Sequence, residues 1–248
     1  MRLSILLILT LLTSAASAQE IKPDKQPRIL VAVPLLIPAG SPVKLVLRGL
    51  LLDEITEVKF TTIPTVVEIA SKGKATVPQN YDARRIGDTQ AEVNFTIPPE
   101  TPVGPLKLVA TSAGGASQPY ELILANPDEL IDDKEPNDGF KTAQSISAGK
   151  TVLGIIHEPR NVDVFAFDGK ASEKLVMQVQ AGQRGSPLDP FLTVYDERGQ
   201  VIGGSDDVDG RDPRLELDIK ISARYFVTIQ DANDAGGSHF CYLLKISR

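Results

Sequence analysis

Residues 174–181 read KLVMQVQA, and residues 240–246 read FCYLLKI. In the first stretch Leu, Met, Val and Ala alternate with mostly polar residues, and in the second Phe, Tyr, Leu and Ile alternate with Cys241, Leu243 and Lys245. Because side chains two residues apart project from the same face of a β-strand, both stretches are predicted to be strands. One apolar and one polar face is typical of an antiparallel sheet that is solvated on one side.

Short β-rich runs recur along the chain, separated by Gly, Pro, Asn and Asp, and no helical period of 3.6 appears after residue 18. The predicted strands are residues 29–33, 43–48, 57–61, 65–69, 92–97, 106–111 and 120–124, then 151–156, 162–167, 174–181, 191–195, 201–203, 214–219, 224–230 and 240–246. Seven or eight strands in each half predict an all-β fold made of two tandem antiparallel β-sandwiches.

A domain boundary is predicted at Asn126-Pro127, where an apolar strand gives way to an acidic stretch. Residues 19–126 carry 11 basic and 11 acidic residues, whereas residues 127–248 carry 14 and 21, a net charge of −7. The excess acid therefore belongs to the second predicted domain.

The N-terminus has the pattern of a secretory signal peptide over residues 1–18. Arg2 supplies a positive end, residues 3–12 supply a short apolar run, and Ala16-Ser17-Ala18 is a small-residue cleavage site. No later segment approaches the length of about 20 apolar residues that a membrane span needs. We therefore expect a secreted, periplasmic or cell-surface protein without a membrane span.

Composition argues against several classes of function. A net charge of −6 argues against a nucleic-acid partner, which would require a basic surface. A single Cys excludes an internal disulfide, and two His leave few options for metal or general-base chemistry. No nucleophile elbow, phosphate-binding loop or dinucleotide fingerprint is present. These counts predict a protein that is not an enzyme.

The segment from Asp133 to Asp138 is the strongest candidate for a metal site. If it is extended, as Pro136 favours, Asp133, Glu135 and Asn137 project to one side, with Asp138 adjacent. Three oxygen-bearing side chains could supply about half of the shell that Ca²⁺ prefers, and a remote carboxylate such as Asp163 could complete it. The alternative is a solvated acidic linker that ends in an Asn-Asp-Gly turn.

Two other features offer residue types that can bind metals. The acidic loop 205–212 lacks the spacing of a calcium-binding EF-hand and is predicted to be a hairpin connection. His157 is followed by Glu158-Pro159, so it does not begin the helical H-E-x-x-H pattern of a zinc site. His157 and His239 are therefore predicted to be surface loop residues, and a zinc site made of both histidines and a carboxylate is the alternative.

An ordered series of residues in the second half resembles the bacterial pre-peptidase C-terminal domain, a secreted β-sandwich. The series comprises Glu135-Pro136-Asn137-Asp138, Ala143, Ile146, Gly154-Ile155-Ile156, residues 163–167, Leu175, Val179, Asp189-Pro190, Leu192, residues 194–196, Gly199, Asp206-Asp207, Leu215, Tyr225-Phe226-Val227 and Tyr242-Leu243-Leu244. The resemblance covers nearly all of residues 128–248 and implies a jelly-roll-like or immunoglobulin-like sandwich.

Related collagen-binding modules bind calcium through an acidic N-terminal segment and an acidic residue near the second strand. Carried over by position, this resemblance implies Ca²⁺ ligands at Asp133, Glu135, Asn137, Asp138 and Asp163. Asn161 stands where the family frequently has Asp, a change that would weaken such a site.

Residues 19–126 resemble an immunoglobulin-like domain of the IPT/TIG type. The resemblance depends on Pro38-Ala39-Gly40 before the strand Val43 to Gly49, on Ile97-Pro98-Pro99, and on residues 102–109 before a terminal strand. None of these residues is a catalytic signature.

These observations predict an exported, non-enzymatic binding or accessory protein. It would serve in adhesion, in targeting, or in assisting secreted enzymes or surface polymers, with an extracellular or periplasmic protein or polysaccharide as partner. The alternative is a small secreted hydrolase or peptidase-associated enzyme whose site is built from scattered loop residues. A structural component of the cell envelope is a third hypothesis.

Overall fold

The computed structural model describes residues 25–78 and 81–248, so the predicted signal peptide lies outside the described residues. Within the first part are β1 (Arg28–Val33), β2 (Leu36–Pro38), β3 (Pro42–Leu50), β4 (Glu57–Phe60), β5 (Glu68–Lys74), α1 (Ala83–Ile86), β6 (Thr89–Thr96), β7 (Gly104–Ser112), β8 (Gly115–Ala116) and β9 (Tyr120–Ala125). They form two sheets, ordered β1-β3-β6-β5 and β2-β9-β7-β4, with β8 paired to β7.

The remaining strands form two further sheets. They are β10 (Leu130–Asp132), β11 (Gln144–Ser145), β12 (Thr151–Ile155), β13 (Val162–Gly169), β14 (Lys174–Gln180), β15 (Pro190–Tyr195), β16 (Val201–Ser205), β17 (Arg214–Asp218), β18 (Ala223–Asp231) and β19 (Cys241–Ser247). The third sheet has the order β10-β12-β19-β14-β17, and the fourth has the order β11-β13-β18-β15-β16. The all-β prediction is confirmed.

Each pair of sheets encloses its own hydrophobic core. Leu45 of the first sheet and Leu108 of the second are fully buried in one core. Met177 of the third sheet and Phe165 of the fourth are fully buried in another. Two facing sheets with a shared apolar interior are β-sandwich architecture.

The sheets are not wholly antiparallel. β2 pairs with β9, β10 with β12, and β11 with β13 in parallel, and each of these pairs spans only two or three residues. β2, β10 and β11 are each at the end of a sheet, so the short parallel strands extend sheets whose longer pairs are antiparallel. One predicted strand is also displaced, because β5 begins at Glu68 and pairs with β6 as far as Lys74.

The outer face of β19 is covered by the first half of the chain. Val31, Leu35 and Leu36 pack with Cys241 and Leu243, and all five side chains are buried. The prediction that this face is solvated was therefore wrong for Cys241 and Leu243. The burial of these two side chains depends on residues that lie more than 200 positions earlier in the chain, and a local alternation pattern does not reveal such neighbours.

Tyr120 links the two halves through its buried hydroxyl group. That oxygen accepts a hydrogen bond from the backbone N–H of Ala32 at 3.1 Å and donates one to the carbonyl of Arg184, also at 3.1 Å. Burial raises the pKa of Tyr120 to about 12, so the phenol stays protonated and able to donate.

Among the described residues, no helix is long and apolar enough to span a membrane.

Candidate metal centre

The acidic segment runs between the third and fourth sheets and is anchored at both ends. Its first residue, Asp133, donates its backbone N–H to the carbonyl of Leu153 in β12 at 3.1 Å. Near its other end, the carbonyl of Asn137 accepts the backbone N–H of Val164 in β13 at 3.0 Å. These two bonds hold the segment beside Asp163, which is also on β13.

Within the segment, the three alternating side chains converge because the chain bends at Glu135. An extended chain would hold Asp133 and Asn137 about 13 Å apart, so the convergence does not arise from the extended conformation that the sequence predicted. The Nδ2 of Asn137 donates to Oδ1 of Asp133 at 2.6 Å, and the backbone N–H of Asn137 donates to Oε2 of Glu135 at 2.9 Å. Asn137 is fully buried. The three side chains therefore form one connected group.

Three residues from outside the segment complete this group: Asn161, Asp163 and Tyr242. The Nδ2 of Asn161 donates to Oε1 of Glu135 at 3.2 Å and to Oδ1 of Asp163 at 3.0 Å. The hydroxyl of Tyr242, in β19, donates to Oδ2 of Asp163 at 2.5 Å. We call the side chains of Asp133, Glu135, Asn137, Asn161 and Asp163 the acidic cluster.

The electrostatics of the acidic cluster are unfavourable for the protein alone. Burial raises the pKa of Asp163 to about 8, and the negative charge of Asp133 adds to this shift. Burial also raises the pKa of Asp133, with the charge of Glu135 as the second cause. No Lys or Arg forms an ion pair with these carboxylates in the described part of the chain. A cation placed among them would reverse both shifts.

Three buried oxygens of the acidic cluster have no hydrogen-bond donor. They are Oδ2 of Asp133, Oδ1 of Asn137 and Oδ1 of Asn161. An unpaired buried oxygen is rare and costs free energy, commonly about 1–3 kcal/mol. Carboxylate and amide oxygens are the ligands that Ca²⁺ prefers, so this donor set fits the predicted ion.

The structure thus brings together Asp133, Glu135, Asn137 and Asp163. Asp138 is exposed and makes no hydrogen bond to these four in the described ranges, so its role as a ligand stays a prediction. Sequence reasoning did not include Tyr242 in the site. Asn161 was noted as a departure that weakens it, yet its amide joins Glu135 to Asp163.

His157 also lies beside the acidic cluster, although it was predicted to be a loop residue outside any metal site. One ligand atom each of Asp133, Glu135 and His157 lie within 4.8 Å of one another. His157 follows the end of β12, and Asp133 is bonded to Leu153 of that strand. Register between β10 and β12 is what brings this imidazole to the segment.

The acidic loop 205–212 has a different setting from the predicted one. It joins β16 of the fourth sheet to β17 of the third, so it crosses between sheets and is not a hairpin connection. Asp212 within it is buried, and its carboxylate accepts the backbone N–H groups of Gly182 and Gln183 at 2.7 and 3.1 Å. This carboxylate therefore fastens a neighbouring turn.

A comparison with known protein families finds no match. The chain is 33% identical over 143 residues to a probable subtilase-type serine protease of Deinococcus radiodurans. That match covers 54% of this chain and 19% of the protease, so the chain spans about a fifth of its relative's length.

Two solved structures show weaker likeness. The pre-peptidase C-terminal domain of a Bacillus anthracis collagenase is 14% identical, with a TM-score of 0.36 over 42% of this chain and 94% of that domain. A Bacteroides ovatus protein of a mixed-linkage glucan utilization locus, solved with a heptasaccharide, is 8% identical, with a TM-score of 0.29 over 83% and 74% of the two chains. Both TM-scores are below 0.5, so neither likeness bears on function.

Proposed function

We propose that this protein is an exported, non-enzymatic binding or accessory module whose second half is stabilised by Ca²⁺ in the acidic cluster. The observation that carries the proposal is the set of buried oxygens without donors on Asp133, Asn137 and Asn161. They lie beside the carboxyl groups of Asp133 and Asp163, whose pKa values are raised by burial and by the neighbouring negative charges. A calcium ion would pair these oxygens and neutralise the carboxylates in a single step.

Several further proposals belong with this one. The division at residues 126 and 127 would separate an immunoglobulin-like domain from a domain of the pre-peptidase C-terminal type. The partner would be an extracellular or periplasmic protein or polysaccharide. A match that spans a fifth of a probable serine protease supports an accessory module shared with secreted enzymes.

The environment of the second histidine favours this function over a hydrolase. His239 is buried, and neither nitrogen of its ring has a hydrogen-bond partner within residues 25–78 and 81–248. A general base that activates a serine must contact the hydroxyl group and be oriented by a third residue. His239 has neither contact.

Calcium is expected to raise the melting temperature of the protein. At about 100 times its dissociation constant, a ligand stabilises the folded state by about 2.7 kcal/mol. For a chain of this size that corresponds to a rise of roughly 5–10 °C. Thermal unfolding in EDTA, in millimolar Ca²⁺ and in millimolar Mg²⁺ measures the effect. An equal response to Mg²⁺ would contradict a calcium site, because Mg²⁺ tolerates few all-protein cages.

Two aspartates on β13 give a matched pair of variants. Asp163→Asn should abolish the calcium response and leave the protein in EDTA at least as stable, because an amide is neutral in both states and avoids the free-energy cost of protonating a carboxylate on folding. Asp168→Asn changes an exposed residue at the other end of the strand and should keep the full response. A calcium response that survives in Asp163→Asn would overturn the proposed site.

A further inference from the structure

The acidic cluster has a buried side and an exposed rim with different chemistry. Asp163 and Asn137 are fully buried, and the atoms with which their side chains could bind a metal ion are oxygens. Glu135 and His157 are exposed, and Asp133, half-buried, lies between the two sides. The rim therefore differs from the floor by one imidazole nitrogen.

Imidazole changes which cations a site prefers. Ca²⁺ and Mg²⁺ are hard ions that take oxygen ligands, whereas imidazole suits Zn²⁺, Cu²⁺, Ni²⁺ and iron. Two carboxylates and one His, with their ligand atoms within 4.8 Å of one another, form a donor set of the kind found in zinc sites. The floor offers a metal only oxygen atoms, so the rim and the floor favour different ions.

The neighbouring polar groups point to a bound ion at the rim as well. Oδ2 of Asp133 is buried and accepts no hydrogen bond from a neighbouring N–H group, and the carboxyl group of Asp163 is within hydrogen-bonding reach of Asp133. Asn137 is fully buried with its amide against Asp133, and its Oδ1 also lacks a partner. A solvated acidic surface would not contain buried oxygens without a hydrogen-bond partner. These atoms are therefore evidence for a bound ion in addition to the clustering of acidic residues.

We propose that Asp133, Glu135 and His157 bind a divalent transition-metal ion, with Zn²⁺ as its representative. The inference rests on the proposed cation-binding role of the acidic cluster, and it assigns the rim a metal class that the floor does not favour. Three protein ligands are one short of the four that Zn²⁺ usually takes, so water or an outside ligand would supply the fourth.

The surroundings of the rim allow an outside ligand to reach such an ion. A groove of about 380 Å³ lies between the two halves of the chain, lined by Asp133, His157 and Tyr242 on one side. Val33 and Lys44 line it from the first half. The ion would therefore be accessible from a groove to which both halves contribute.

Titration calorimetry of the full chain with Zn²⁺ alone and with Ca²⁺ alone tests the inference. His157→Ala should weaken Zn²⁺ binding by at least about 10-fold, since even the outer partners of metal ligands are worth about 10–100-fold. It should leave Ca²⁺ affinity within about twofold, and folding unchanged, because His157 is exposed. Asp163→Asn should have the opposite preference and weaken Ca²⁺ binding more than Zn²⁺ binding.

The outcomes separate this inference from the proposed function. Zn²⁺ binding that is absent in the natural protein, or equal in His157→Ala, overturns the rim site and leaves the calcium proposal intact. Zn²⁺ binding that depends on His157 in a protein that does not bind Ca²⁺ supports the rim site and overturns the calcium proposal. Parallel loss of both ions in His157→Ala would show one undivided site and contradict the inference.

Discussion

Gly154→Ala is expected to lower the melting temperature by about 6–12 °C. Gly154, in β12, is directly opposite Tyr242 in β19, and a Cβ atom at this position would lie 2.1 Å from Cζ of the Tyr242 ring. The ring has no room to move, because it is buried and its hydroxyl is bonded to Asp163. Overpacking of this kind costs about 3 kcal/mol, which gives the stated shift when measured by thermal unfolding.

A second glycine in a strand provides the control. Gly73, in β5, has no atom within 4 Å of the position where its Cβ would lie. Gly73→Ala should therefore change the free energy of unfolding by less than about 0.5 kcal/mol. Equal losses in the two variants would mean that the cost comes from strand glycines in general and not from the Tyr242 ring.

A double-mutant cycle tests the contact between the Tyr242 ring and the side chain at position 154. In the natural background, Tyr242→Leu removes both a buried ring and the hydrogen bond to Asp163, so it should be strongly destabilising. In the Gly154→Ala background the same change also relieves the clash and should cost less. A coupling free energy near zero between the two substitutions would contradict the proposed contact.

Local alternation was sufficient to predict which strand faces enter the cores. Leu175, Met177 and Val179 are buried, as are the alternate residues Phe240 to Ile246. The pattern is reliable here because burial on the inner face of a sandwich follows the period of the strand itself. It could not predict the burial of Cys241 and Leu243, whose neighbours in the first half are distant in sequence.

The candidate site shows the same division between local and distant information. The sequence places Asp133, Glu135 and Asn137 in one short segment, and the structure brings them together through a bend at Glu135 and not through an extended run. Tyr242 and His157 reach the site through pairing of β12 with β19 and β10, and no short motif encodes that register. Sequence reasoning therefore found the oxygen donors along one segment but missed the imidazole and the phenol.

The contribution of His239 to stability is expected to fall as the pH falls from 7 to 4.5, whereas the raised pKa values of Asp163 and Asp133 act in the opposite direction. Burial lowers the pKa of His239 to about 4, and the positive charge of Arg48 in β3 adds to this shift. The unfolded chain takes up a proton near pH 6.5, whereas the folded chain does so only near pH 4. Stability is therefore present above about pH 6.5 and is lost as the pH falls toward 4, by roughly 2 kcal/mol at pH 4.5.

Two variants isolate this contribution from other titrating groups. Neither His239→Leu nor His239→Gln can take up the proton, so urea unfolding at pH 7, 5.5 and 4.5 should show both gaining stability relative to the natural protein as the pH falls. Leucine should also be the more stable of the two at pH 7, because the ring nitrogens have no partner that a buried amide could replace. Curves that stay parallel to that of the natural protein would show that His239 ionises alike in both states. Arg48 is in the first half of the chain and its positive charge acts on His239 in the second, so protonation of His239 adds a repulsion between the two halves that Tyr120 links.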